Sequence, residues 1–383
     1  YCGNHRAPPK DKPRVPCPVD PTHDIFLCDV EKHVKICSKA KQRRAVEHAG
    51  YFSKDANLHG SCSKDDGEGE GGWAATGSAA DLSSAARRAK LVALDAPAFL
   101  SLVARVKRAA AAALPLVPHP QEAEVLRPEA CRRWLAPGAA ERSHLASRKF
   151  DRKHVLQQAS IIGHLIKAFH FDACLVPAKA ERNHEHRNNG NNSDVSAVEL
   201  GAGKGHLGTM LMESLSLPHL VLLDRGAFRF KADRALRHNN NNGDANIRID
   251  RIQCDLKDFV LGRMESLQQR RALVVGKHLC GSATDMAIST VLDNATAKRD
   301  EDGSCGVLGL LGLGLSPCCH HRCTWESYTG KFWFTQVAGF APEDFQLVAW
   351  MTGWALCGHK PCSATAQQQQ QDAGVEDGEG EEE

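Results

Sequence analysis

The stretch that most constrains this chain is residues 195–224, which has the pattern of one strand–helix–strand unit. An apolar run at 195–200 is typical of a buried strand, a helical pattern ends before Pro218, and a second apolar run at 220–223 ends on Asp224. Three glycines occupy the turn from the first strand into the helix: Gly201, Gly203 and Gly205. Glycines let a ligand approach the backbone there, and Asp224 is placed to accept hydrogen bonds from a ribose diol. The unit therefore predicts a nucleoside-containing cofactor.

The glycines alone allow two kinds of cofactor. Gly203-x-Gly205-x-x-Gly208 matches the dinucleotide fingerprint, with an acid at about the right distance beyond it. The other register, Glu199-x-Gly201-x-Gly203-x-Gly205, is the S-adenosylmethionine pattern, in which an acid on the first strand faces the amino-acid end of the cofactor. We favour the second register, because Glu199 would repel a pyrophosphate and Gly201 must be the first loop residue. A glycine-rich turn without a ligand is the remaining alternative.

Three further segments predict strands 3, 4 and 5 of a parallel sheet, at 247–253, 272–276 and 306–315, the last of them rich in glycine and leucine. Ligands bind at the carboxyl ends of the strands in an open sheet of this kind. We therefore expect one crevice to hold Asp224 and the polar residues that follow these strands: Asp255, Lys277, His278, Asp285, Cys318, Cys319, His320 and His321. Asp255 is placed to bind an adenine amino group. The candidate catalytic residues are Lys277, His278, Asp285, His320 and His321.

The run Cys318-Cys319-His320-His321 has three possible interpretations. It is a substrate or catalytic loop, a metal cluster, or an inert packed loop. A metal cluster is disfavoured at this point, because adjacent cysteines rarely both reach one tetrahedral ion. The loop at a strand end is the favoured interpretation.

A group of four possible metal ligands lies near the N-terminus. Cys17, His23, His33 and Cys37 are separated by five, nine and three residues, which gives two closely spaced ligand pairs. His33 and Cys37, four apart, lie on one face of a helix. A tetrahedral Zn²⁺ site with two cysteines and two histidines fits this spacing. In so short a module the metal would supply most of the folding energy, about 10–16 kcal/mol of apparent binding.

Composition limits the function classes. The net charge of +2 includes an almost purely acidic tail at 372–383, so the remainder of the chain is distinctly basic. No apolar run approaches the length of a membrane span, and no signal peptide is visible, so no membrane association is expected. The 15 cysteines, several beside histidines, indicate a reducing compartment, cytoplasm or nucleus, with metal or catalytic use of thiols.

The rest of the chain predicts four regions. Residues 1–40 are a zinc-finger region, and 41–140 are a linker with an alanine-rich helix at 85–114 that ends before Pro115. Residues 141–360 form the sheet domain, which starts with an amphipathic helix at 156–169 that packs on the sheet. Residues 361–383 are a disordered glutamine-rich and acidic tail, and the asparagine runs at 188–192 and 239–242 are loops.

Three stretches together resemble a known family. The CHHC spacing is similar to a zinc finger of minor-spliceosome proteins and of a family of tRNA methyltransferases, and Cys2-Gly-Asn-His5 resembles the closing half of a CCCH finger. With the Glu199–Gly205 loop, Lys277-His-Leu-Cys-Gly and Pro317-Cys-Cys-His-His-Arg, the chain resembles the eukaryotic tRNA 2′-O-ribose methyltransferases that modify the fourth nucleotide of the acceptor stem. The resemblance covers 2–60 and about 145–357.

The resemblance implies a Rossmann-like class I methyltransferase sheet of α/β class, with S-adenosylmethionine as methyl donor, tRNA as substrate and a finger that assists RNA recognition. Such a sheet normally has seven strands, and here one amphipathic segment at 340–356 follows strand 5, so the last two strands are expected to be missing or replaced. Two rival functions stay open. One is methylation of a base nitrogen, and the other is a non-catalytic RNA-binding scaffold built on the CHHC finger.

Overall fold

The computed structural model describes residues 13–58, 93, 95–113, 115, 125–135, 152–169, 194–228, 232–233, 247–296 and 309–353. The CCCH remnant at 2–5, both asparagine runs and the tail at 361–383 lie outside these residues. The described chain divides into two compact units. The first holds the described residues up to 58, those from 125 to 277, and 286–316, and the second holds 93–115, 278–285 and 317–353.

The regular elements are named in chain order. The strands are β1 (Arg14–Pro16), β2 (Asp24–Phe26), β3 (Val195–Leu200), β4 (His219–Asp224), β5 (Arg248–Gln253), β6 (Arg271–Lys277) and β7 (Gly309–Ser316). The α-helices are α1 (Val30–Ile36), α2 (Ser38–Glu47), α3 (Ala96–Ala113), α4 (Arg132–Leu135), α5 (Arg152–Phe169), α6 (His206–Ser214), α7 (Ser282–Thr296) and α8 (Phe345–Met351). Short 3-10 turns are Leu27–Asp29, Glu129–Cys131, Leu256–Asp258, Leu261–Arg263, Glu265–Leu267, His320–Arg322 and Pro342–Asp344, and Trp333–Val337 is a π-helical turn.

The first unit is built on a parallel sheet with the strand order β5-β4-β3-β6-β7. Every neighbouring pair is parallel, so the carboxyl ends of all the strands share one edge. The three interior strands, β4, β3 and β6, are buried along almost their whole length, which explains why their sequences are mostly apolar instead of alternating. The predicted α/β class is confirmed, and the described part of the chain contains five strands in this sheet.

Helix α5 covers one face of the sheet, as its periodicity predicts. Ala159 and Ile162 are fully buried, and Ile166 is nearly so. The glycines of β7 allow the helix to come close, because a Cβ on Gly312 would lie 1.9 Å from the Phe169 ring and one on Gly314 would lie 2.7 Å from Leu165. The glycine-rich composition of β7 therefore has a packing cause.

Two segments of the predicted 41–140 linker region belong to the first unit. Residues 51–58 pair with the chain at 256–260: the Ser53 N–H donates to the Asp258 carbonyl at 2.9 Å, and the buried Asn57 side chain donates to the Leu256 and Phe259 carbonyls at 2.7 Å. Cys131, fully buried, joins the main core. The finger region and the sheet are therefore parts of one compact body.

The second unit has an aromatic core. Leu102 of α3 packs with Phe334, Phe340 and Phe345, and Arg105 of the same helix makes a bidentate ion pair with Asp344, at 2.6 and 3.2 Å. The alanine-rich helix predicted at 85–114 is described from Ala96 to Ala113. Among the described residues, no helix has both the length and the apolar character that a membrane crossing requires.

Candidate active site, zinc finger and family

The turn from β3 into α6 needs its glycines. Gly201, Gly203 and Gly205 have φ angles of +65°, +54° and +81°, in the left-handed region that side chains disfavour. Gly205 caps α6, and a Cβ there would lie 2.7 Å from the Arg251 guanidinium. The loop therefore exposes backbone rather than side chains to whatever it binds.

Glu199 lies beneath this loop and is buried. Its Oε2 accepts the N–H of Gly208, in the first turn of α6, at 2.7 Å. Burial raises the pKa of Glu199 from 4.5 to about 8, although the Gly208 N–H and the Arg251 charge favour ionisation. An acid therefore takes up one of the free N–H groups at the N-terminus of α6, where a dinucleotide would place its pyrophosphate.

Glu199→Gln is expected to change how stability depends on pH. The raised pKa means that the unfolded carboxyl ionises near 4.5 while the folded one stays protonated up to about 8. The folded wild type therefore loses stability as pH rises through this window, by an amount on the order of a few kcal/mol. Glutamine keeps an acceptor for Gly208 but does not titrate, so its free energy of unfolding should be flatter between pH 5 and 8. Denaturant unfolding across this range measures it, with exposed Glu265→Gln as control, and parallel curves for Glu199→Gln and wild type would refute the assignment.

Asp224 and Asp255 follow neighbouring strands. At the end of β4, the two Asp224 oxygens accept the N–H groups of Gly203 and Gly226, at 2.8 and 2.7 Å, and each keeps a lone pair for a ligand. Asp255 accepts the Lys257 N–H at 3.1 Å and caps the turn that follows β5. Asp224 also lines a cleft of about 1110 Å³ in the first unit, together with Gln42 and His48, which follow the finger region in the chain.

Arg251 supports the glycine loop from β5, and sequence reasoning missed it. Its guanidinium donates to the carbonyls of Gly203 and Lys204, at 2.8 and 3.1 Å, and forms an ion pair with the buried Asp233 at 2.7 Å. The Lys204 carbonyl also accepts the Ala232 N–H at 2.9 Å. Four of the six residues of β5 are charged or polar, so Arg251 did not stand out in the sequence, and its partners lie 18 and 47–48 residues away.

Lys277 is the candidate catalytic residue that the structure places in the first unit. Its Nζ lies 3.5 Å from His154 Nδ1 of α5. Burial and the positive charges of Lys204, His154 and Lys277 lower the pKa of His206, which keeps that imidazole neutral near pH 7. His206 was not singled out from the sequence, although it directly follows the last loop glycine.

The other candidates, His278, Asp285, His320 and His321, lie in the second unit. His278 has a φ of +60°, which is uncommon for a residue with a side chain and is found at functional sites. Asp285 is buried and accepts the backbone and hydroxyl groups of Thr329, at 3.2 and 3.1 Å, and burial raises its pKa. Asp285 therefore joins the first turn of α7 to the 324–330 loop through two hydrogen bonds. His320 and His321 begin the 3-10 turn after β7. That these residues share one crevice with Asp224 and Lys277 stays a prediction.

The four predicted zinc ligands lie together. The ligand atoms of Cys17, His23, His33 and Cys37 are all within 4.8 Å of one another, and the two histidine Nε2 atoms are 2.9 Å apart. Asp20 Oδ2 lies 3.7 Å from His23 Nδ1, on the side of the ring away from this cluster, as is common for metal-binding histidines. The Ala40 N–H lowers the pKa of the buried Cys37 thiol, which favours the thiolate that binds a metal.

Two known protein families match parts of this chain. The family described as Methyltransferase TRM13 matches residues 156–383, more than half of the chain. This chain belongs to the TRM13 methyltransferase family. The U11-48K-like CHHC zinc finger matches residues 14–38, so the TRM13 methyltransferase domain is preceded by a CHHC finger, as the spacing predicted.

Curated relatives carry the same family name. A rice protein named "tRNA:m(4)X modification enzyme TRM13" is 32% identical over 60% of this chain and 82% of its own length. The fission yeast enzyme of that name is 26% identical over 90% of this chain and 76% of its own length. A Dictyostelium TRM13 homolog is 24% identical over 93% of this chain, which spans 58% of that relative. No solved structure was found to match this TRM13 family member.

Proposed function

We propose that this chain transfers the methyl group of S-adenosylmethionine to a ribose 2′-hydroxyl of tRNA, at the fourth nucleotide of the acceptor stem. The observation that carries the proposal is the hydrogen bond from the Gly208 N–H to Glu199 beneath three left-handed glycines. It supports the S-adenosylmethionine register over the dinucleotide register, because an acid occupies the pyrophosphate position. The names of the TRM13 relatives support tRNA as the substrate.

The methyl donor would be held by the strand ends of the first unit. S-adenosylmethionine supplies an electrophilic methyl group on a sulfonium. Gly201, Gly203 and Gly205 leave room for it against the backbone, Asp224 has free lone pairs for the ribose diol, and Asp255 is available to an adenine amino group. Arg251 keeps the loop in position by bonding two of its carbonyls. These residues fit the cofactor.

The RNA would bind beside the cofactor. The cleft that Asp224 lines also contains Arg248 and Arg263, as well as Tyr51 and Phe228, and Gln42 and residues 48–51, which follow the finger in the chain, contribute to its lining. Arginines attract phosphates, and aromatic rings can stack on unpaired bases. We infer that the CHHC finger, with Zn²⁺ bound by Cys17, His23, His33 and Cys37, helps to hold the tRNA.

Ribose methylation requires removal of the hydroxyl proton, and much of the rate should come from holding donor and acceptor together. Lys277, with His154 and the neutral His206 nearby, is the candidate base in the first unit. His278, His320 and His321 are candidates in the second. We also propose a reducing compartment, cytoplasm or nucleus, which suits nine described cysteines that are all free thiols.

Calorimetric titration tests the donor assignment. S-adenosylmethionine should bind the wild type, and Asp224→Ala should weaken binding by about 1.5–3 kcal/mol, roughly 10- to 150-fold, because hydrogen bonds to a charged acceptor are lost. Glu265→Ala, an exposed acid that lines the same cleft, should bind as the wild type does. Binding of NAD without binding of S-adenosylmethionine would overturn the assignment and favour the dinucleotide register.

A further inference from the structure

Three cysteine thiols of the second unit lie in contact with one another. Cys280 Sγ is 2.9 Å from Cys318 Sγ, and Cys318 Sγ is 3.4 Å from Cys319 Sγ. All three sulfurs fall within 4.8 Å of one another, and all three residues are partly exposed. Cys323, a few residues on, packs instead against the aromatic core of this unit. The three thiols therefore form a cluster distinct from ordinary hydrophobic packing.

The backbone fixes the two segments that carry these thiols. Gly281 has a φ of +58°, and a Cβ there would lie 2.2 Å from the Arg322 carbonyl group, so the two segments touch backbone to backbone. The Ser282 hydroxyl donates to Thr324 Oγ1 at 2.9 Å, further along both segments in the same direction. The proximity of Cys280 to Cys318 is thus supported by close packing of the residues that follow the pair.

Cys318 and Cys319 present their sulfurs to the same place although they are adjacent. Neighbouring side chains point to opposite sides of an extended chain, which was the argument against a shared ion. Here Cys319 is the residue that precedes the turn His320–Arg322. The two sulfurs are nevertheless 3.4 Å apart, and this distance removes the objection.

We propose that Cys280, Cys318 and Cys319 bind a second zinc ion, separate from that of the CHHC finger. A tetrahedral ion with Zn–S bonds near 2.3 Å separates its sulfurs by roughly 3.8 Å, so small side-chain rotations suffice. The finger's own ligand atoms lie at comparable distances, 2.9 and 4.0 Å. Thiolate ligands select zinc over the hard cations magnesium and calcium.

A disulfide explains the cluster less well. It would join Cys280 to Cys318 at about 2.05 Å and leave Cys319 without a role. A single ion uses all three sulfurs and leaves a fourth coordination position for water or another ligand. The ion would tie the segment that follows β6 to the segment that follows β7, and so fix the backbone on which His278, His320 and His321 are carried.

Zinc content per chain tests the proposal. The full chain, produced with zinc and kept reduced, should contain about two ions by elemental mass spectrometry, one in each site. Cys280→Ser and Cys318→Ser should each lose one ion, Cys37→Ser should lose the other, and the Cys37→Ser/Cys280→Ser variant should contain none. Cys323→Ser, in the same segment but outside the cluster, should retain both. One zinc per wild-type chain, lost in Cys37→Ser and unaffected by Cys280→Ser, would overturn the proposal.

A spectroscopic measurement covers the case in which Cys280→Ser fails to fold. Cobalt(II) is loaded into Cys37→Ser, whose finger site is disabled while the three-cysteine cluster is intact. Thiolate-to-cobalt charge-transfer absorption with the strong visible bands of tetrahedral cobalt is the expected result. Absence of these bands in folded, fully reduced Cys37→Ser would contradict the second site.

Discussion

Serine in place of Cys37 is expected to release the zinc of the finger and to unfold residues 14–38. The buried apolar core of this module consists of Cys17, Ile25 and Cys37, and two of these three are the proposed metal ligands. So small a core cannot offset the entropy of ordering the chain, so the metal must supply the difference, about 10–16 kcal/mol of apparent binding. Loss of one ligand should therefore abolish both metal and structure. Metal analysis and limited proteolysis within 14–38 measure the two effects.

Cys28→Ser is the matched control for this experiment. Cys28 lies in the turn Leu27–Asp29, between the two ligand pairs, and its thiol is exposed. It should retain the finger's zinc and resist proteolysis as the wild type does. A Cys37→Ser chain that keeps the same zinc content and the same resistance as Cys28→Ser would show that the four residues are not a metal site.

Arg251→Met should destabilise the sheet unit by about 3–5 kcal/mol, because it removes the arginine that forms an ion pair with the buried Asp233 carboxylate. Asp233 is 1% exposed and Arg251 13% exposed, so little solvent screens the pair. The same change removes both hydrogen bonds to the glycine-loop carbonyls. S-adenosylmethionine binding should therefore fall even at temperatures where the variant remains folded. Denaturant unfolding and calorimetry report the two losses.

Arg248→Met provides the comparison on the same strand. Arg248 pairs with Asp250, but its side chain is 62% exposed, and such a pair contributes about 0–1 kcal/mol. Each variant removes one arginine charge, at positions three residues apart. The difference between them in stability and in S-adenosylmethionine affinity therefore measures the contribution of the buried contacts of Arg251. Equal stability and equal S-adenosylmethionine affinity for Arg248→Met and Arg251→Met would refute the role given to Arg251.

Local patterns were enough to predict the sheet. The run from Val195 to Asp224 contains both strands, the helix and the glycine turn, and each is determined by neighbours a few residues away. Strands β5, β6 and β7 were also found within a few residues of their ends. The two pairs of proposed zinc ligands in the finger are similarly local, although α1 ends at Ile36, so that His33 lies within the helix and Cys37 directly after it.

Contacts between distant segments could not be predicted in the same way. Arg251 reaches Gly203 across 48 residues, and Cys280 reaches Cys318 across 38. Residues 51–58 looked like linker because their hydrogen-bond partners at 256–260 are some 200 residues away. No periodicity in one segment encodes such a partner. The contact between Cys318 and Cys319 could not be predicted either, since two adjacent cysteines in a sequence do not reveal the side-chain directions that bring their sulfurs to 3.4 Å.

Methyl transfer to tRNA tests the central claim most directly. The chain is incubated with radiolabelled S-adenosylmethionine and unmodified tRNA, with the rice TRM13 relative as positive control, and the product is hydrolysed with alkali. A methyl group on the 2′-oxygen prevents that oxygen from attacking the adjacent phosphodiester, so the label should remain in an alkali-resistant dinucleotide. Label in alkali-sensitive mononucleotides would place the methyl group on a base and contradict the claim. Absence of label from a chain that binds S-adenosylmethionine would contradict it as well.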